Sequence, residues 1–183
     1  MDRSARDPAC DDVGGGRIGI VQESVETRRG EAAPAAPSRP SWFAPTAWVL
    51  TLIGLGVSGY LVYTHYDQGA LLCTTSGKLD CHSVTSSKYS ELLGIPLPWL
   101  GLAFFAGFAA LVSPPALRSP QPLLRWGRLV SVCVGVLFVV YLVTVEAAVL
   151  HKYCQWCTGV HVVTILLFAL VLFDEYRRAG QID

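Results

Sequence analysis

Cys154-Gln155-Trp156-Cys157 opens the last apolar stretch of this chain, and Cys73 and Cys81 lie in the only long loop between apolar stretches. Four of the six cysteines therefore gather at one edge of a hydrophobic helix bundle. A C-x-x-C holds two thiols close enough to form a disulfide and to exchange it with a neighbouring thiol. In a membrane, that arrangement suits the passage of electrons between a protein dithiol and something dissolved in lipid. With Cys154 at the start of a helix and Cys157 one turn inside, the positive helix N-terminus favours the nucleophilic thiolate. One thiol of the pair is then activated and faces the bundle interior, while the other faces the loop.

Two other readings of the four cysteines exist. Two structural disulfides in an exported loop would need no chemistry, although a C-x-x-C at a helix start is a redox motif more often than a staple. A four-cysteine zinc site fits the C-x-x-C, but the other pair is separated by seven residues, beyond the usual spacing of about two to four. No metal is expected. Cys10 and Cys133 are read as ordinary small residues without a chemical role. His161 lies one turn beyond Cys157 on the same face, and Glu146 lies within the third apolar stretch. Ionisable groups inside membrane spans are costly and usually functional, so His161 and Glu146 are candidates for lining a polar pocket. Trp99, Phe104, Phe105, Tyr141 and Trp156 could wall a flat ligand or serve as interfacial anchors.

The elements that must position these residues follow from the hydropathy. The chain has 183 residues, 52% of them apolar and only 15% charged. Residues 1–40 are polar, with Gly14-Gly15-Gly16 and an Ala-Pro run, and residues 42–173 are almost wholly apolar. The composition is that of an integral membrane protein with a disordered tail over 1–43. The tail lacks the basic-then-apolar pattern of a cleaved signal peptide. The net charge is zero, which gives no electrostatic case for nucleic acid.

Four apolar stretches are expected to cross the bilayer, at about 17–25 residues each. They run near 44–66, 96–113, 129–150 and 154–173, with the second ended by Pro114-Pro115. Small residues on the first two, among them Gly54, Ser58, Gly101 and Ala106, allow close helix approach in a compact four-helix bundle. All eleven arginines fall in the N-terminal tail, the 114–128 loop or the C-terminus. The three lysines, Lys78, Lys88 and Lys152, fall on the other side. The positive-inside rule then places both termini, including a short 174–183 tail, in the cytoplasm of a multi-pass inner or plasma membrane protein. The clustered cysteines face outward, where disulfides persist. In the outer loop, Tyr89 and the leucines after His82 have helical spacing, which predicts a short amphipathic helix at the interface.

The order of these features resembles the vitamin K epoxide reductase family in its bacterial form. Two loop cysteines seven residues apart are followed by Ser87, Gly94-Ile95-Pro96-Leu97 and the C-x-x-C of the last helix. The stretch Cys81-His82-Ser83-Val84-Thr85-Ser86-Ser87 is close to that family's Cys-x-x-Val-x-Ser-Ser, and the likeness spans 44–173. The resemblance implies a four-helix bundle around a quinone, menaquinone or ubiquinone, used as co-substrate. It implies that Cys154 and Cys157 are the active-site pair, with Cys157 nearest the quinone, and that Cys73 and Cys81 are the shuttle pair. Ser87 matches the residue that orients the quinone or the loop. Many bacterial members carry a fused thioredoxin-like domain after the last helix. This chain stops at Asp183, so a separate exported thioredoxin-like (DsbA-like) partner is expected. The expected activity is oxidation of partner dithiols at the expense of quinone. The alternatives are a quinone epoxide reductase or a non-enzymatic membrane protein stapled by two disulfides.

Overall fold

The computed structural model describes residues 39–73 and 77–180. The tail expected to be disordered falls largely at 1–38, with Cys10, and lies outside the described residues, as do 74–76 and 181–183. Six α-helices are present among the described residues. They are α1 (Phe43–Tyr66), α2 (Cys81–Thr85), α3 (Leu97–Leu111), α4 (Pro114–Arg118), α5 (Pro122–Thr144) and α6 (Gln155–Ala179). A π-helical turn, Val145–Leu150, continues α5, and a two-stranded hairpin pairs β1 (Glu91–Leu92) with β2 (Ile95–Pro96).

The expectation of four membrane-spanning helices is corrected to three. Among the described residues, only α1 with 24 residues, α5 with its π turn at 29, and α6 with 25 are long and apolar enough to cross a bilayer. α3 is apolar but has 15 residues. At about 1.5 Å per residue it reaches only about 22 Å, against a hydrocarbon core of about 30 Å. Prolines bracket it. Pro96 caps its start, Pro98 occupies its first turn, where a missing N–H is harmless, and Pro114 and Pro115 begin the next helix. The residues before Pro96, which a longer helix would need, are taken by the hairpin.

The expected amphipathic helix also gives way. The loop helix is α2, five residues long, and Tyr89 and the leucines after it lie outside it. Ser86 Oγ donates to His82 O at 2.6 Å and Ser87 Oγ to Val84 O at 2.9 Å. Such local bonds offer the backbone an alternative to continuing the helix. At the hairpin tip Leu93 and Gly94 have φ of 53° and 78°, the pair of positive values that a tight two-residue hairpin turn requires.

α1 buries one stripe, Ala47, Thr51, Gly54, Ser58 and Leu61, against α3 and α6. A Cβ at Gly54 would overlap the ring of Phe105, and one at Gly101 would press on Ser58 Oγ. The small residues thus set the distance between α1 and α3, as in membrane helix pairs generally. Phe105, Phe108, Val132, Leu167 and Val171 fill the core beside them.

One end of the bundle is tied by charge. Asp174 is buried between Arg39 at 3.3 Å and Arg178 at 3.0 Å. Arg39 also donates to Leu117 O at 3.0 Å, and the buried Arg128 donates to Leu111 O at 3.3 Å, so two arginines cover carbonyls at the ends of α3 and α4. The opposite end is tied by the loops that carry the cysteines.

Candidate active site

The loop holding Cys73 and Cys81 is fastened to the start of α6 by backbone hydrogen bonds. Tyr153 N donates to Lys78 O at 2.9 Å, and Asp80 N donates to Tyr153 O at 3.0 Å. This short parallel bridge joins the residue two before Cys81 to the residue just before Cys154. A second tie comes from Trp156, which donates to Leu72 O at 2.7 Å and packs on Tyr60 with ring centroids 4.8 Å apart. Tyr60 in turn accepts from Leu72 N at 2.8 Å and donates to Ala70 O at 3.0 Å. The two cysteine pairs, about eighty positions apart in the chain, are therefore held over the same end of the bundle.

Cys73 and Cys81 form a disulfide with their Cα atoms 6.0 Å apart. Cys81 is fully buried, and Cys73 is partly exposed. Cys81 opens α2, whose N-cap is Asp80: its carboxylate accepts from Ser83 N at 3.1 Å and from Ser83 Oγ at 2.6 Å. These bonds from Ser83 hold the Asp80 carboxyl below the usual carboxylate range.

Cys154 and Cys157 carry free thiols. Cys154 is fully buried and is the N-cap of α6, with its sulfur accepting from Cys157 N at 3.3 Å. The neighbouring Cys157 thiol and the Cys157 N–H together hold the Cys154 thiol below its ordinary value against the opposing effect of burial. The sulfur served by the helix start is thus Cys154, at the cap, which corrects the expectation that the activated thiol is the one facing the interior; Cys157 is the thiol on the cavity wall.

That interior holds a cavity of about 330 Å³, at the lower end of the usual range for small-molecule sites, about 300–1,000 Å³. Its wall is mostly aliphatic and aromatic, with Phe104, Phe105 and Phe138 on two sides. Cys157, Ser87, Glu146 and His161 all contribute to it, so residues set apart in sequence by more than seventy positions share one chamber. Cys73, Cys81 and Cys154 do not line it. Of the five aromatics singled out by sequence, Phe104 and Phe105 wall the cavity. Trp156 is used in the loop tie, Trp99 is exposed and donates to Tyr66 Oη at 3.1 Å, and Tyr141 is exposed. Cys133 is partly buried and away from the cavity.

Sequence reasoning missed Tyr89, Phe138, Gly135 and Thr164 as part of the wall. Gly135 and Thr164 meet there because α5 and α6 pack closely: a Cβ at Gly135 would crowd both Phe104 and Thr164. A glycine on the inward stripe of α5, Arg128-Val132-Gly135-Val139, was the available signal.

Residues 45–172 match the model of the vitamin K epoxide reductase family.

Proposed function

The chain belongs to the vitamin K epoxide reductase family, with the membrane helices and cysteine pairs of a redox enzyme, and from that premise we propose that it oxidises exported protein dithiols with a membrane quinone. The observation that carries this reading is the position of Cys157, bonded to Cys154 on one side and facing an apolar cavity on the other. The substrate entering the loop side is a thioredoxin-like dithiol. Its thiolate attacks Cys73, the more exposed sulfur of the loop disulfide, and Cys81 leaves as a thiolate. The resulting loop dithiol reduces an oxidised Cys154–Cys157 pair through Cys81 and Cys154, the two sulfurs buried beneath the loop tie. The reduced pair then passes two electrons and two protons to the quinone, giving quinol and the Cys154–Cys157 disulfide. Each turnover converts one partner dithiol and one quinone into one partner disulfide and one quinol.

A 330 Å³ apolar chamber suits a quinone head group, and its polar atoms are confined to a few places on the wall. The arginine-rich end of the bundle faces the cytoplasm in this reading, and the cysteine loops face the opposite side, in accord with the positive-inside rule.

The test is reconstitution in nanodiscs with a reduced thioredoxin-like protein and a short-chain benzoquinone. Loss of quinone absorbance matched one-for-one by partner disulfide is expected, and a partner variant lacking its second cysteine, having attacked Cys73 with Cys81 as the leaving thiolate, should be held as a mixed disulfide through Cys73. A protein merely stapled by its disulfides would give neither. In intact cells treated with mild reductant, Cys73 should react with a membrane-impermeant maleimide; labelling only after lysis would reverse the orientation.

Ser87 has a smaller part. Its hydroxyl lines the cavity, but its single hydrogen goes to Val84 O at 2.9 Å. A quinone oxygen can only accept, so Ser87 must give up that bond to serve it. The net value of one such bond is about 0.5–1.5 kcal/mol, and the exchange leaves the lower part of that range. Ser87→Ala is expected to slow quinone reduction about threefold and to leave partner exchange unchanged. A defect confined to partner exchange would move Ser87 out of the quinone site.

A further inference from the structure

Glu146 stands on the inward stripe of α5, in the π-helical turn that continues it. Arg128, Val132, Gly135 and Val139 are its buried positions, and seven residues beyond Val139 the same face reaches Glu146. The backbone there is a π-helical turn, a feature found frequently at functional sites. Glu146 is 4% exposed, and among the described residues it has neither an ion pair nor a side-chain hydrogen bond. Glu146 forms part of the wall of the cavity the quinone would enter.

A buried carboxyl without a partner costs several kcal/mol if charged, so its retention inside a membrane helix calls for a use. The ionisable groups on the cavity wall are Cys157 and His161 from α6, Tyr89 from the outer loop, and Glu146; α1 and α3 supply none. Of these, Glu146 is the carboxyl, and it shares the cavity wall with Cys157. The chemistry there moves two electrons out of sulfur into a ring in an apolar chamber. A thiolate beside a carboxylate, or an unprotonated quinol oxygen, would leave net charge in that chamber. Electrons must therefore travel with protons.

Resting on the reading that a quinone occupies this cavity, we propose that Glu146 gives its carboxyl proton to a quinone oxygen and takes up in its place the proton that leaves the Cys157 thiol. Two S–H bonds break and one S–S bond forms between Cys154 and Cys157. The electron pair goes to the quinone, and two O–H bonds form on it. Glu146 begins and ends the cycle in the same protonation state. His161 lines the chamber one turn beyond Cys157 and is free to orient the second oxygen.

The experiment is single-turnover reduction of a short-chain benzoquinone by fully reduced protein in nanodiscs. Removing a general acid–base typically costs about 10²–10⁴-fold, and Glu146→Gln is expected to lose that much in the quinone step. Quinone affinity and thiol exchange between Cys73–Cys81 and a thioredoxin-like protein should be unchanged. The residual rate should rise as pH falls, because solvent must then supply the proton. Glu146→Asp, which keeps the carboxyl but withdraws it, should recover part of the rate with a larger solvent deuterium isotope effect than the wild type. A Glu146→Gln rate within about threefold of wild type, or a loss explained wholly by weaker quinone binding, would overturn the role. If Glu146→Gln does not fold, Glu146→Asp decides alone: wild-type rate and isotope effect would refute it. Failure of the wild-type protein to reduce quinone would defeat the proposed function itself, a result distinct from either.

Discussion

Cys154→Ala and Cys157→Ala are each expected to depress quinone-dependent dithiol oxidation by on the order of 10³-fold or more, with any reductant. Neither sulfur can be replaced, because the product of the step is the bond between them. Cys73→Ala and Cys81→Ala should behave differently. Turnover with a thioredoxin-like protein should be lost to the same extent, since a folded partner cannot reach the fully buried Cys154. A small dithiol such as dithiothreitol should bypass the loop and retain much of the wild-type rate. Cys133→Ala, partly buried and away from the cavity, should stay close to wild type with both reductants, as should Cys10→Ala. Stopped-flow quinone absorbance with the two reductants in parallel separates these classes. Full activity of Cys154→Ala with either would refute the relay.

Asp174→Asn is expected to lower stability by about 3 kcal/mol, the effect of breaking a buried ion pair on one side. Asp174 is 4% exposed, and its loss leaves Arg39 and Arg178, with side chains only 14% and 20% exposed, without their shared anion. Arg39 Nε meets Asp174 only as an ion pair, with no hydrogen bond of its own, so nothing else compensates it. Burial already pulls the Arg39 guanidinium below its ordinary value, and Asp174 is the main opposing influence. The drop in midpoint should be about 10 °C for a chain of this size. Glu175→Gln is the contrast. Its partner Arg125 is 46% exposed, and pairs of that kind are worth about 1 kcal/mol or less. Thermal unfolding in one detergent, followed by the fluorescence of the interfacial tryptophans, compares the two. Equal midpoints for both variants would mean that the charged end does not clamp the bundle.

Hydropathy and local spacing already determined much of this protein in sequence. A run of apolar residues long enough to cross lipid declares itself wherever it falls, which is why α1, α5 with its π turn and α6 were legible to within a few residues at most ends. The thiol pairs and their side of the bundle were legible for the same reason: a C-x-x-C at a helix start is local chemistry, and the arginine bias is a property of loops. Two local readings went astray where a neighbour decided the outcome. Pro96 and Pro98, with the hairpin before them, shortened α3 below the length of a membrane span, and the serines after α2 drew backbone bonds that ended the loop helix.

The chamber belonged to the tertiary structure alone. Helices that are apolar on every side carry no polar stripe to mark which face turns inward. Cys157 and His161 share a helix face by their spacing, but nothing in the sequence says that Glu146 and Ser87, from two other elements, meet them there. Gly54 and Gly135 admit Phe105 and Phe104, and that packing decides where the bundle is filled and where it stays open. The order of the two sulfurs, Cys154 at the helix start and Cys157 one turn inside, was legible in the C-x-x-C; which of them the helix start serves was not. A helix start stabilises whichever group its free amides face, and the backbone turn at Tyr153–Gln155, pinned by the loop bridge, gives that place to the Cys154 sulfur.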